Sequence, residues 1–181
     1  MKDNILLTEE KEQVALLTLN RPEVMNALNF SLLYALKEQI EALRIRSDIR
    51  VIIITGAGDK AFCAGADLKE RATLNPAQVK EFIFTGRRVM AEEALQINLV
   101  NHTCESALLI EECQKMAAMI CETGPIAIEQ AKYAINYGLE TDLQTGLAIE
   151  SNAYWVTIPT EDRLEALAAF GEKRKPVFKG K

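Results

Sequence analysis

Val51-Ile52-Ile53-Ile54-Thr55-Gly56-Ala57-Gly58-Asp59-Lys60-Ala61-Phe62-Cys63-Ala64-Gly65-Ala66-Asp67-Leu68-Lys69-Glu70-Arg71 is the stretch on which the reading of this chain turns. Its four β-branched apolar residues predict a strand buried on both faces. Thr55 to Asp59 break that run with two glycines, and Asp67 to Arg71 predict the opening of a helix with acid in its first turn. Between turn and helix nearly every residue from Ala61 to Ala66 is small, so the backbone can approach a ligand closely and point free N–H groups at it. Such an arrangement suits a developing negative charge. A simple tight turn at Ala64-Gly65-Ala66 is the competing reading of the same residues.

Upstream, Ile5-Leu6-Leu7-Thr8 and Val14-Ala15-Leu16-Leu17-Thr18-Leu19 flank the charged group Glu9 to Gln13, which predicts a hairpin with a polar tip. Asn20-Arg21-Pro22 ends the second strand, because proline cannot donate to a ladder. Met25-Asn26-Ala27-Leu28-Asn29 reads as a linker. Leu33, Leu36, Ile40 and Leu43 then recur at helical spacing, and that helix returns the chain to Val51 as a right-handed βαβ unit.

Downstream, Pro76 opens a short helical segment through Ile83, and Ala91 to Gln96 form another, ended by Asn98 in a left-handed conformation before a strand-like Leu99-Val100. From Ser106 onward the chain reads as helical. A first helix carries the stripe Leu109, Cys113, Met116 and Ile120. A second runs from Pro125 to Tyr137 and ends at Gly138, a third spans Leu143 to Thr157, and a fourth is N-capped by Thr160 with Glu161 and Asp162 in its first turn.

At 181 residues and 20.2 kDa, with 49% hydrophobic residues, the chain suits one domain with a real core. The net charge of -5 and pI near 5.1 argue against a general affinity for nucleic acid or anionic membrane. An anionic ligand must therefore be held locally. Cys63, Cys104, Cys113 and Cys121 form no C-x-x-C pair and are too sparse for a disulfide scaffold, so they read as reduced thiols. His102, the single histidine, has no partner at ligand spacing and reads as a surface or half-buried residue, so no metal site is expected. No apolar run approaches the roughly 20 residues of a membrane helix, and no leader-like segment opens the chain, so a cytoplasmic location is expected.

One imbalance remains. The front half starts a parallel sheet, which is normally covered on both faces and built from more strands than appear here, while the back half supplies almost only helices. Something that would complete the sheet is missing between about Lys80 and Phe84.

Taken together, several motifs resemble one family. Asn20-Arg21-Pro22, Met25-Asn26-Ala27-Leu28, Val51-Ile52-Ile53-Ile54-Thr55-Gly56 and above all Ala61-Phe62-Cys63-Ala64-Gly65-Ala66-Asp67-Leu68 resemble the first half of the enoyl-CoA hydratases of the crotonase superfamily. The second half is similar through Phe84-Thr85-Gly86-Arg87-Arg88, Ala91-Glu92-Glu93-Ala94, Gly124-Pro125-Ile126-Ala127, Asp162-Arg163-Leu164-Glu165-Ala166 and Phe170-Gly171-Glu172-Lys173-Arg174. The resemblance implies an α/β, crotonase-like spiral of β-β-α units over residues 1–83. It also implies a helical region for coenzyme A contact and trimerisation over residues 84–181, with the sheet incomplete.

A typical member has roughly 80 further residues between these halves, close to half a domain. That stretch carries further spiral turns, a second oxyanion donor and two glutamates that handle water. Three explanations stay open: the segment belongs to the molecule and is absent from this sequence, it is deleted, or the fold is genuinely shorter. The first is preferred, because removal of core strands should cost far more than the ~5–15 kcal/mol that keeps a domain folded.

The resemblance further implies the addition of water to 2-enoyl-CoA thioesters, with the Ala66 backbone N–H as an oxyanion donor. Ala27, Ala64, Gly65, Asp67 and Leu68 would line the coenzyme A site, with Phe170 and Lys173 reaching in from the last helix. Lys173-Arg174-Lys175 read equally well as a solvated basic tail. Glu81 matches neither catalytic glutamate, and Asp67 reads as a loop-shaping acid. No cofactor is implied beyond the coenzyme A thioester substrate, and the partners implied are acyl-CoA and further copies in a homotrimer or hexamer. A non-catalytic acyl-CoA binding or assembly protein is the second reading, and RNA binding is disfavoured by the acidic balance.

Overall fold

A computed structural model describes residues 4–65, 67, 90–96 and 98–181. The helix opening at 68–71, the segment 76–83, Glu81, the junction near 80–84 and the boundary between residues 83 and 84 lie outside the described residues. The chain forms two compact units, Met1–Lys115 and Met116–Lys181.

In the first unit β1 (Leu6–Lys11) and β2 (Val14–Leu19) pair antiparallel, Leu6 opposite Leu19 through to Lys11 opposite Val14. The hairpin is longer than the charge pattern suggests. Glu9, Glu10 and Lys11 lie within the strand, and the tip shrinks to Glu12-Gln13, with Glu12 at φ 55°. Beyond Leu6 the outer strand faces water, where charged side chains cost little and protect an edge.

Helix α1 (Phe30–Arg44) follows, its first turn held by the Asn29 carboxamide oxygen, which accepts from the Leu32 N–H at 2.9 Å. The chain returns as β3 (Val51–Gly56), parallel to β2 with Val14 opposite Val51 and Leu19 opposite Gly56. The sheet order is β1-β2-β3, so the expected βαβ unit is present. Alternate residues of β2, Ala15, Leu17 and Leu19, are buried and form the core with Leu6, Leu32 and Leu43.

Two sequence expectations need correction here. Leu33 and Ile40 are exposed, and α1 instead meets the core through Leu32, Ala35, Leu36 and Leu43. Adjacent leucines at 32 and 33 offer two overlapping apolar stripes, and spacing alone cannot say which faces the sheet. β3 is likewise not buried on both faces. Ile53 is buried, yet Ile54, which points to the opposite face, is 39% exposed.

Further along, α2 (Ala91–Gln96) ends with Asn98 at φ 57°, the left-handed residue expected. Leu99 and Val100 are not a strand. Both their N–H groups donate to the Ala94 carbonyl, which curls the chain at the helix end. Helix α3 (Leu109–Cys121) contains the boundary between the units, and its fully buried residue is Ala117, while Leu109 and Met116 of the predicted stripe are exposed.

The second unit contains α4 (Pro125–Gly138), α5 (Leu143–Thr157) and α6 (Glu161–Glu172), close to the predicted bounds. α4 and α5 pack against each other. Thr160 caps α6 as expected, its hydroxyl accepting from the Arg163 N–H at 3.1 Å. The residues after α6 fold back on its start: buried Asp162 accepts from the main-chain N–H groups of Lys179 at 2.6 Å and Gly180 at 2.8 Å.

Candidate functional site

The candidate site grows from the C-terminal end of β3. There the loop 57–65 runs back beside residues 20–28, and one buried side chain joins the two. Asn26 is fully buried at φ 56°, directly after Met25 at φ 53°. Its carboxamide oxygen accepts from the Arg21 N–H at 3.0 Å, and its Nδ2 donates to the Ala57 and Ala61 carbonyls, both at 2.9 Å. Asparagine tolerates the left-handed region that most residues avoid, and its carboxamide supplies an acceptor and two donors at once.

A short ladder extends this junction. The Ala64 N–H donates to the Met25 carbonyl at 2.9 Å, the Leu28 N–H to Gly65 at 2.8 Å and the Asp67 N–H to Leu28 at 2.9 Å. Gly65 sits at φ 94°, a conformation costly for any side chain, and its N–H donates to the Cys63 Sγ at 3.3 Å. Arg21 closes the ladder. Its Nη1 donates to the Ala27 carbonyl at 2.6 Å and its Nη2 to Asp67 Oδ2 at 3.1 Å, with the two side chains only 14% and 15% exposed.

Ala27, Ala64, Gly65 and Asp67 are thus brought together from separate parts of the sequence, with Ala64 and Gly65 at the surface. Ala66 and Leu68 lie outside the described residues. The open row of amides read from Ala61 to Ala66 is narrowed, since the Ala64 N–H is committed to the ladder and that of Gly65 to a thiol. Asp67 is tied to Arg21 across the loop. Two clefts flank the loop: one of about 250 Å³ bordered by Pro22, Met25, Asn26 and Lys60, and one of about 350 Å³ bordered by Ile54, Gly56, Phe62 and Leu109.

Phe170 and Lys173 belong to the second unit. Phe170 is 87% exposed on α6, and Lys173 terminates that helix at φ 56°. The basic tail after it is not simply solvated. Arg174 is bound by both carboxylate oxygens of Glu165, at 2.5 and 2.9 Å, and by Glu172 at 2.6 Å, while Lys175 pairs with Glu122 at 3.0 Å. The Arg174 guanidinium, helped by the Val177 N–H, lowers the Glu165 carboxyl to about 2. Among the described residues Lys173 makes no ion pair, so of the three cations it alone is uncommitted.

His102 is exposed and the four cysteines are free thiols. No group of histidine, cysteine or acidic residues that could hold a metal occurs among the described residues, and none of their helices is long and apolar enough to cross a membrane. Sequence reading missed Arg21 and Asn26 as site residues. The available signal was an asparagine beside an arginine-proline turn, but its partners stand 31 and 35 residues away.

Comparison with known proteins adds to this geometry. A family model described as enoyl-CoA hydratase/isomerase matches residues 9–81 and 73–181. YngF of Bacillus subtilis, assigned to the enoyl-CoA hydratases/isomerases by name only, is 39% identical over 259 residues, covering 99% of this chain and 100% of its own length. The short-chain-enoyl-CoA hydratase of Clostridium acetobutylicum is 27% identical, covering 97% of each chain. The crystal structure of an enoyl-CoA hydratase from Bacillus anthracis superposes with a TM-score of 0.91 at 31% identity, covering 98% of this chain and 100% of the other. The alignment with YngF runs over 259 residues against a chain of 181, so at least 78 aligned positions have no counterpart here. The two matched segments of the family model meet at residues 73–81, beside the junction expected near Lys80 to Phe84.

Proposed function

This chain belongs to the enoyl-CoA hydratase/isomerase family, and from that premise we propose that it binds acyl-CoA thioesters and holds the thioester oxygen on the main-chain N–H of Ala66. The single observation that carries this reading is the hydrogen bond from the Leu28 N–H to the Gly65 carbonyl. With its carbonyl committed to Leu28, Gly65 fastens the loop to the 25–28 segment directly before Ala66.

The reaction that such a donor serves is addition of water to a 2-enoyl-CoA thioester. Hydroxide equivalent joins C3, a proton joins C2, and negative charge gathers on the thioester oxygen in between. A preorganised donor at that oxygen is worth about 3–4 kcal/mol of barrier. This is acid/base chemistry and calls for no metal or redox cofactor. The uncommitted Lys173 ammonium and exposed Phe170 support a role in binding coenzyme A, and the family relation supports a homotrimer or hexamer in the cytoplasm.

A second reading is favoured by the shortfall of at least 78 positions against YngF. Without a residue to activate water, a 181-residue chain would bind the thioester in its ground state without accelerating hydration. Intact mass and a crotonyl-CoA assay on one preparation separate the two. A mass greater than 20.2 kDa by roughly 80 residues, with hydration, supports the enzyme. A mass of 20.2 kDa with acetyl-CoA binding and no hydration supports the binding protein. Absence of any acyl-CoA binding rejects both.

A further inference from the structure

We propose that Arg21 is the positioning residue of the thioester-binding loop: its two-armed guanidinium grips the Ala27 carbonyl and the Asp67 carboxylate, and so fixes the ladder on which the site's preference for a thioester carbonyl depends. This inference rests on the acyl-CoA reading above. The physical basis is that Arg21 is fixed before it reaches the loop. Its N–H donates to Asn26 Oδ1 at 3.0 Å, its carbonyl accepts from the Asn26 N–H at 2.9 Å, and Pro22 restricts the chain beyond it. From that anchored backbone the side chain divides its donors. Nη1 binds the Ala27 carbonyl at 2.6 Å and Nη2 binds Asp67 Oδ2 at 3.1 Å.

One planar group thereby ties a residue on each side of the ladder. Ala27 is held on the 25–28 side and Asp67 on the 64–67 side, and both the Asp67 N–H and the Gly65 carbonyl are bound to Leu28 next to Ala27. Movement of Asp67 would shear the ladder that orients the Gly65 peptide group. With both side chains largely withdrawn from water, the pair is screened little and its geometry is enforced strongly. A lysine has the charge but not the fork, so it cannot hold both partners at once.

The test compares two ligands that differ only at the carbonyl: acetyl-CoA, a thioester, and S-ethyl-CoA, the thioether that lacks the oxygen. Binding of each to the full chain is measured by calorimetry, alongside circular dichroism and thermal unfolding. The unmodified protein should bind acetyl-CoA about two- to tenfold more tightly, the worth of one hydrogen bond. In Arg21→Lys that preference should fall toward onefold, acetyl-CoA losing severalfold more affinity than S-ethyl-CoA. Asp67→Asn, which keeps the side chain's shape but weakens the charge-assisted bond, should lose part of the preference and serves if Arg21→Lys fails to fold.

A purely structural arginine would weaken both ligands together, and that result overturns the proposal. So does a folded Arg21→Lys that keeps the full preference, or failure of both variants to fold. If the unmodified protein binds neither ligand, the acyl-CoA reading itself fails. If it binds and discriminates while the variants do the same, only the role of Arg21 is rejected.

Discussion

A Cβ atom placed on Gly56 would lie 2.6 Å from Nδ2 of Asn26, and 2.2 Å from the Phe62 carbonyl oxygen. The last residue of β3 and the buried asparagine of a distant turn thus share a space that admits no side chain. The close approach lets Asn26 reach the Ala57 and Ala61 carbonyls and hold the loop against residues 20–28.

Gly56→Ala should destabilise the first unit by about 1–3 kcal/mol, because the methyl group meets main-chain atoms that cannot swing away. Urea unfolding followed by circular dichroism measures this. A change below about 0.5 kcal/mol would show that the junction yields.

Gly171→Ala is the matched contrast. It lies in α6, and an added Cβ there meets nothing within 4 Å. The substitution should leave stability unchanged or raise it by up to about 1 kcal/mol, since alanine restricts the unfolded chain and favours helix. The same urea titration reports it, and a loss comparable to that of Gly56→Ala would contradict the assigned environments.

Asn26→Asp keeps size, oxygen acceptor and tolerance of the left-handed region, but replaces the donor that serves two carbonyls with an oxygen that repels them. The expected cost is about 2–3 kcal/mol, from buried acceptors left unpaired. Binding of acetyl-CoA should fall with it, because the loop 57–65 loses its fastening. Stability is read from denaturant unfolding and affinity from calorimetry, and an unchanged protein in both assays would remove Asn26 from the site.

Glu165 gives a pH signature in the second unit. Its carboxyl is lowered from the ordinary 4.5 to about 2 by Arg174, so its hold on the Val177 N–H is fully present above 4.5 and is lost only as pH falls toward 2. The Val177 amide resonance should therefore keep its position down to about pH 3, where an ordinary glutamate is mostly protonated. In Glu165→Gln the resonance should already be displaced at neutral pH. A midpoint near the ordinary value in the unmodified protein would mean that the tail is not clasped.

Much of this architecture was legible from local chemistry. Proline, glycine and the capping residues Asn98 and Thr160 marked helix ends that the structure reproduces closely, because caps and breakers act within a few residues of themselves. The motif Ala61 to Leu68 points to the family from residue type and spacing alone, and the family comparison agrees. Of the α1 stripe Leu36 and Leu43 meet the core while Leu33 and Ile40 do not, because Leu32 and Leu33 satisfy the same periodicity and only the sheet selects between them.

Sequence by itself determined the family and the order of strand, helix and loop. Those properties are carried by residue type and short-range spacing. Only the tertiary structure decided that Asn26 is a buried joint rather than part of a linker, and that one arginine grips both sides of the Ala64 to Asp67 ladder. The physical reason is that a hydrogen bond depends on distance and angle in space, and no local pattern encodes which carbonyl, 31 or 35 residues away, folding brings within 3 Å.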